Sequence, residues 1–205
     1  DFIENNTMSW IDRIEFAIED VPPGRLALPW GTRSFSDAAS KRARLDEIRV
    51  QVKSDASFDP ASVADDIQQQ LLGDLVHSSD DPLNRKLTWS EVRHLGGNPL
   101  FTVGGHSHTH PILSFLEPAA LACEIDTSLS LLREKGGVDV SHYSYPEGLA
   151  HCFNETVIAA LRARDIVCCP TAEPGLNDSS TDLFHLKRIP VTGTVPDAAL
   201  VAEIG

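Results

Sequence analysis

The 205 residues, 41% hydrophobic and 23% charged, suffice for one sizeable core, and no run is apolar enough to span a bilayer. A formal net charge of −13 sets the chain against nucleic-acid backbones and anionic membrane surfaces, and leaves neutral substrates such as sugars open. Four cysteines, Cys123, Cys152, Cys168 and Cys169, follow neither a disulfide framework nor paired zinc spacing. They read as small buried hydrophobes in a reducing, cytoplasmic setting. The opening DFIENN has neither an initiator methionine nor a targeting pattern, so an upstream start is expected.

Taken in chain order, MSWIDRIEFAIED sets Ile11, Ile14 and Ile18 on one helical face. RLALPW alternates as a short strand does. From Phe35 to Gly73 the pattern is polar, charged and helix-prone, which predicts a helical insertion at about 22–82 within a single domain over 1–205. HSSDDPLN reads as a loop. LTWSEVRHLGG carries a capping box, Thr88 with Glu91, and a glycine stop at Gly96 and Gly97. PLFTVGG reads as a buried strand. EPAALACEIDTSLSLLREKGG is the clearest helix: Pro118 suits its first turn, Leu121, Ile125, Leu129 and Leu132 line one face, and Gly136 stops it. HYSYPEG is a strand entering a loop, FNETVIAALRARD a helix capped by Asn154, and IVCC and LFHLKRIPV are two further strands. Strands alternating with helices predict an α/β fold with a parallel sheet or barrel, whose sites gather at the carboxyl ends of the strands.

GGHSHTHPILS lies at such an end and holds three of the eight histidines, His106, His108 and His110. Imidazole suits zinc and similar cations, and His106 and His110 have the four-residue spacing that lets two rings reach one ion. Gly104 and Gly105 let the chain turn sharply, Pro111 stiffens the exit, and His108 points elsewhere. An isolated HxxxH more often marks a loop of solvated imidazoles; the strand-end position and the glycines favour ligands here. A hydrolytic centre needs a third protein ligand, from elsewhere in the chain.

GGHSHTHPILS, from His106 through Ser107 to His110 and Pro111, resembles the second motif of the polysaccharide deacetylases, the nodulation-protein-type carbohydrate esterases. The helix LTWSEVRHLGG before it fits the same pattern. SYPEG sits where that family has Arg-x-Pro-aromatic-Gly, and AEPGLN with FHLKRIPV resembles the tail of a short bacterial branch. The resemblance implies a distorted (β/α) barrel and hydrolysis of the N-acetyl amide of an amino sugar within a glycan. It implies a divalent metal, zinc, on His106 and His110 with an aspartate. Ser107 would steady the loop, the backbone N–H of Glu147 would belong to an oxyanion hole, Tyr145 and Pro146 would face substrate, and His185 would be the general acid.

The chain departs from that pattern in three places, one being the family's tryptophan-containing fourth motif, which has no clear match. Thr-Phe-Asp-Asp, which supplies the base and the metal aspartate, is absent: Asp65 and Asp66 fall in a helix, Asp80 and Asp81 in a polar loop. The expectation is a barrel lacking its first strand or strands, completed by upstream residues or by another chain in an oligomer, and with little activity as it stands. In the third motif Ser144 replaces the arginine and Glu147 the aromatic residue. Two other readings stay open: a carbohydrate-binding relative without catalysis, and a deacylase of a small or lipid-linked substrate.

Overall fold

The computed structural model describes residues 3, 7–19, 21–73 and 85–189. They belong to two compact units that divide between Lys86 and Leu87.

In the first unit the isoleucine stripe forms α1 (Trp10–Glu19), which buries Ile14, Ala17 and Ile18. Two short strands follow, β1 (Gly24–Leu28) and β2 (Gly31–Phe35), paired antiparallel with Leu28 opposite Gly31. Alternation turns Leu26 and Leu28 inward and leaves Arg25 and Ala27 exposed. α2 (Ala38–Ser54) starts on a capping box in which Asp37 accepts from the Ser40 amide at 2.8 Å. α3 (Pro60–Leu72) has proline in its first turn and Asp59 accepting from the Ser62 amide. Leu45, Ile48 and Val52 of α2 join Val63, Ala64 and Ile67 of α3, the α1 stripe and Phe35 in one core. Each large apolar side chain fully buried there is worth roughly 1.5–3 kcal/mol. Arg13 ties α1 to α3 through Gln68 and Asp65, so Asp65 is a helix-surface ion-pair partner within this unit. The interval 22–82 therefore contains a β-ribbon as well as two helices. The loop read in HSSDDPLN, with Asp80 and Asp81, lies outside the described residues.

In the second unit α4 (Trp89–Gly96) begins with both halves of the expected box, the Thr88 amide donating to Glu91 Oε2 at 2.7 Å and the Glu91 amide to Thr88 Oγ1 at 3.3 Å. α5 (Pro118–Glu134) buries Leu121, Ile125, Ser128 and Leu129. The left-handed residue beyond its end is Gly137, at φ 63°, one past the expected Gly136. α6 (Glu155–Arg162) is capped by the Asn154 side chain, which accepts from the Val157 amide at 3.0 Å. α5 and α6 pack with Leu113, Tyr143, Tyr145, Ile166, Cys169 and Phe184 in a second core.

Two expectations are corrected here. PLFTVGG is not a buried strand: Leu100 is 86% exposed and Phe101 55%, and only Gly105 pairs. An apolar run is buried only where another surface covers it, and none of the described elements covers this one. Of the cysteines, Cys152 and Cys169 are buried, whereas Cys123 is exposed on α5; all four are free thiols. Burial pushes the Cys169 thiol up to about 12.

Among the described residues of this unit, parallel pairing is confined to three bridges, Gly105 with Tyr143, His142 with Cys168, and Pro174 with Arg188. They bring the chain at Gly105, at Tyr143 and at Cys168 side by side in one sense, without by themselves closing a barrel. The protein is thus a mixed helix and strand structure. Among the described residues no helix is long and apolar enough to cross a membrane.

Candidate active site

The histidine loop leaves the bridge at Gly105, whose amide donates to His142 O at 2.9 Å and whose carbonyl accepts from the Ser144 amide at 2.9 Å. A Cβ there would stand 2.4 Å from the Tyr143 ring, so only glycine allows this approach. The next turns are tight: Ser107 has φ 62° and His110 φ 64°. A left-handed non-glycine residue costs about 1–2 kcal/mol, so the loop needs fixed partners. It has them. The Ser107 amide donates to Tyr143 Oη at 2.6 Å and the His110 amide to Ser107 Oγ at 2.9 Å. The His108 and Thr109 amides both donate to Glu124 Oε2 at 2.9 Å, and the Thr109 hydroxyl donates to Oε1 at 2.7 Å.

This bracing sets the His106 and His110 rings face to edge, with centroids 4.8 Å apart. His106 Nδ1 lies 2.8 Å from Ser144 O. A carbonyl only accepts, so Nδ1 carries the proton and Nε2 keeps its lone pair for a ligand.

The second loop is held differently. Glu147, at φ 61°, and Gly148, at φ 71°, are both left-handed. The Gly148 amide donates to Pro146 O at 2.7 Å and its carbonyl accepts from the Ala172 amide at 2.8 Å. Tyr145 beneath it is buried, donates its hydroxyl to Phe184 O at 3.1 Å and stacks on Phe153 with centroids 4.3 Å apart. Burial pushes the Tyr143 phenol up to about 12 and raises Tyr145 further, so both remain neutral hydrogen-bonding groups.

The two loops border one open cleft of about 440 Å³, lined by His106, His110, Ser144, Tyr145, Glu147 and Arg188. Among the expected site residues, Pro146 is buried and His185 does not line the cleft. His185 Nδ1 lies 3.6 Å from Asp182 Oδ2, and its ring meets the edge of Phe153. Arg188 is the residue that sequence reading missed, because KR before IPV looks like part of an ordinary strand. Its amide donates to Glu173 O at 2.9 Å and its Nε to Thr171 O, which fixes the guanidinium base at the cleft.

Two imidazoles side by side, that of His106 oriented by Ser144 O, fit two positions of a divalent-metal centre. Among the described residues no group of three or more histidine, cysteine, aspartate or glutamate side chains gathers to hold an ion. The chain as described therefore offers part of a site.

The model of the family described as polysaccharide deacetylase matches residues 66–168, half of the chain. The chain belongs to the polysaccharide deacetylase family. Both loops of the cleft fall inside the matched residues. Solved structures similar to it include the Streptococcus pyogenes deacetylase PplD in complex with acetate, 18% identical, with a TM-score of 0.52 over 59% of this chain and 52% of that one. IcaB from Ammonifex degensii is 20% identical with a TM-score of 0.48, over 58% of this chain and 53% of that one. The BpsB deacetylase domain from Bordetella bronchiseptica is 19% identical with a TM-score of 0.47, over 58% and 55%. The chain thus spans about half the length of these structures, and its likeness to PplD is one of fold. No curated protein matches it.

Proposed function

We propose that this polysaccharide deacetylase hydrolyses the N-acetyl amide of an amino sugar in a glycan, releasing acetate and a free amine. The observation that carries this reading is the pair of imidazoles, 4.8 Å apart, on one wall of a cleft whose other wall is the Ser144–Glu147 loop. His106 and His110 would hold a divalent metal, zinc by the preference of imidazole nitrogen, which supplies Lewis-acid polarisation of the amide carbonyl and acidifies water.

The chain's own residues have separable tasks. Ser144 O holds the His106 tautomer, Ser107 Oγ holds the His110 backbone, and the Glu147 amide is the donor for charge developing on the amide oxygen. Arg188 provides a cation for the carboxylate formed as the amide breaks. The exposed position of His185, beside Asp182, makes its role as general acid the least supported of the expected assignments. The parallel sense of the three bridges also favours the finer fold reading, a distorted (β/α) barrel.

The test is acetate release from N-acetylglucosamine oligomers, with and without a chelator. Release that stops with the chelator and returns with zinc or cobalt supports the reading. Release untouched by exhaustive chelation contradicts it. Oligomer binding without release would favour a carbohydrate-binding relative.

A further inference from the structure

The network around the histidine loop converges on a side chain that the family motif does not contain. Glu124 sits on α5 between Leu121 and Ile125, both buried, so its backbone is anchored in the core. Its carboxylate reaches out of the helix and accepts three hydrogen bonds from two adjacent residues, the amides of His108 and Thr109 and the Thr109 hydroxyl. Those residues are the midpoint of the segment whose ends are His106 and His110. The loop is left-handed at Ser107 and again at His110, so its observed form carries backbone strain that fixed partners must offset.

We propose that Glu124 is the positioning residue of the metal loop, locking the spacing and orientation of His106 and His110 before any metal arrives. This inference rests on the reading of those two histidines as ligands. A carboxylate suits the task because two lone-pair-rich oxygens serve three donors at once without a proton of their own. An amide can serve the same donors: its oxygen accepts from the two backbone N–H groups, and its NH₂ donates to the Thr109 oxygen. Geometry, rather than charge, is therefore the property under test.

The experiment has two arms on the same variants. In the metal-free protein, amide exchange at His108 and Thr109 should quicken at least tenfold in Glu124→Ala and return to the parent rate in Glu124→Gln. In cobalt titrations followed by visible absorption, Glu124→Ala should bind about 10–100-fold more weakly, the usual penalty for removing a partner that orients ligands, with a shifted spectrum. Glu124→Gln should stay within about threefold of the parent. Glu117→Ala, an exposed residue ahead of α5 whose side chain makes no cap bond, is the control for helix effects. If Glu124→Ala does not fold, Thr109→Val removes only the hydroxyl bond and should cost a few-fold in affinity. Unchanged exchange and affinity in the variants overturn the Glu124 role while leaving the metal reading intact. A parent protein that binds no cobalt overturns the ligand reading and, with it, the positioning role, whatever the exchange arm returns.

Discussion

Two loops border the cleft, and they are built on opposite principles. The loop from His106 to His110 is held by side chains, Tyr143 Oη, Ser107 Oγ and the Glu124 carboxylate, and it presents side chains. The loop from Ser144 to Gly148 is held by main chain, through Pro146 O and the Ala172 amide, and it presents a main-chain group, the Ser144 carbonyl, to His106. Both contain a non-glycine residue near φ 60°. The difference teaches where substitutions should matter: at side chains in the first loop, and at the space left for the backbone in the second.

Gly148→Ala should have the largest effect on stability. Its Cβ would stand 2.8 Å from the Ala172 amide nitrogen, in a left-handed residue at φ 71°, so both space and backbone oppose it. A loss of about 2–3 kcal/mol is expected in denaturant unfolding. A loss below about 0.5 kcal/mol would show that the second loop yields easily, and would erase the contrast.

Tyr143→Phe comes next. The ring stays, but the Ser107 amide loses its acceptor at 2.6 Å beneath the first loop. The cost should be about 1–2 kcal/mol, with weaker cobalt binding as the loop loosens. Retained affinity would mean that the loop's shape does not depend on this brace.

Glu147→Ala should do little, because the group assigned to it is its amide. Stability within about 0.5 kcal/mol and kcat/KM within about twofold of the parent are expected. A hundredfold loss of kcat with KM unchanged would make the carboxylate itself a catalytic group.

The smallest effect lies away from both loops. Asp126 accepts from Arg164 Nε and Nη2, and this hydrogen bonding holds its carboxyl below 3.8. A folded value below the unfolded one stabilises above the unfolded pKa, and the contribution is lost as pH falls through the folded value. Asp126 is largely exposed, so Asp126→Asn should lower Tm by roughly a degree or two at pH 7. The difference should vanish as the solution is taken well below pH 3.8. A difference that persists there would assign the effect to packing rather than charge.

Features fixed by short-range chemistry were legible in the sequence. Thr88 with Glu91, Asn154 before its helix, Pro118 in a first turn and the Ile14–Ile18 stripe each specify their structure within a few residues. The histidine spacing was legible for the same reason. Leu100 and Phe101 misled because apolarity reports an affinity for burial and says nothing of whether a neighbour covers the segment. Arg188 and Glu124 were hidden because their meaning is non-local. One reaches the cleft from a late segment, and the other looks like any polar position on an amphipathic helix until the loop folds back onto it.

The most direct measurement is a cobalt titration of the protein and of three variants, His106→Ala, His108→Ala and His110→Ala, each followed by visible absorption. The account predicts saturable cobalt binding by the protein, loss of binding in the His106 and His110 variants, and binding close to the parent's in His108→Ala. Equal loss in all three would make the histidines a folding element of the loop and would contradict the assignment of a metal-binding active site.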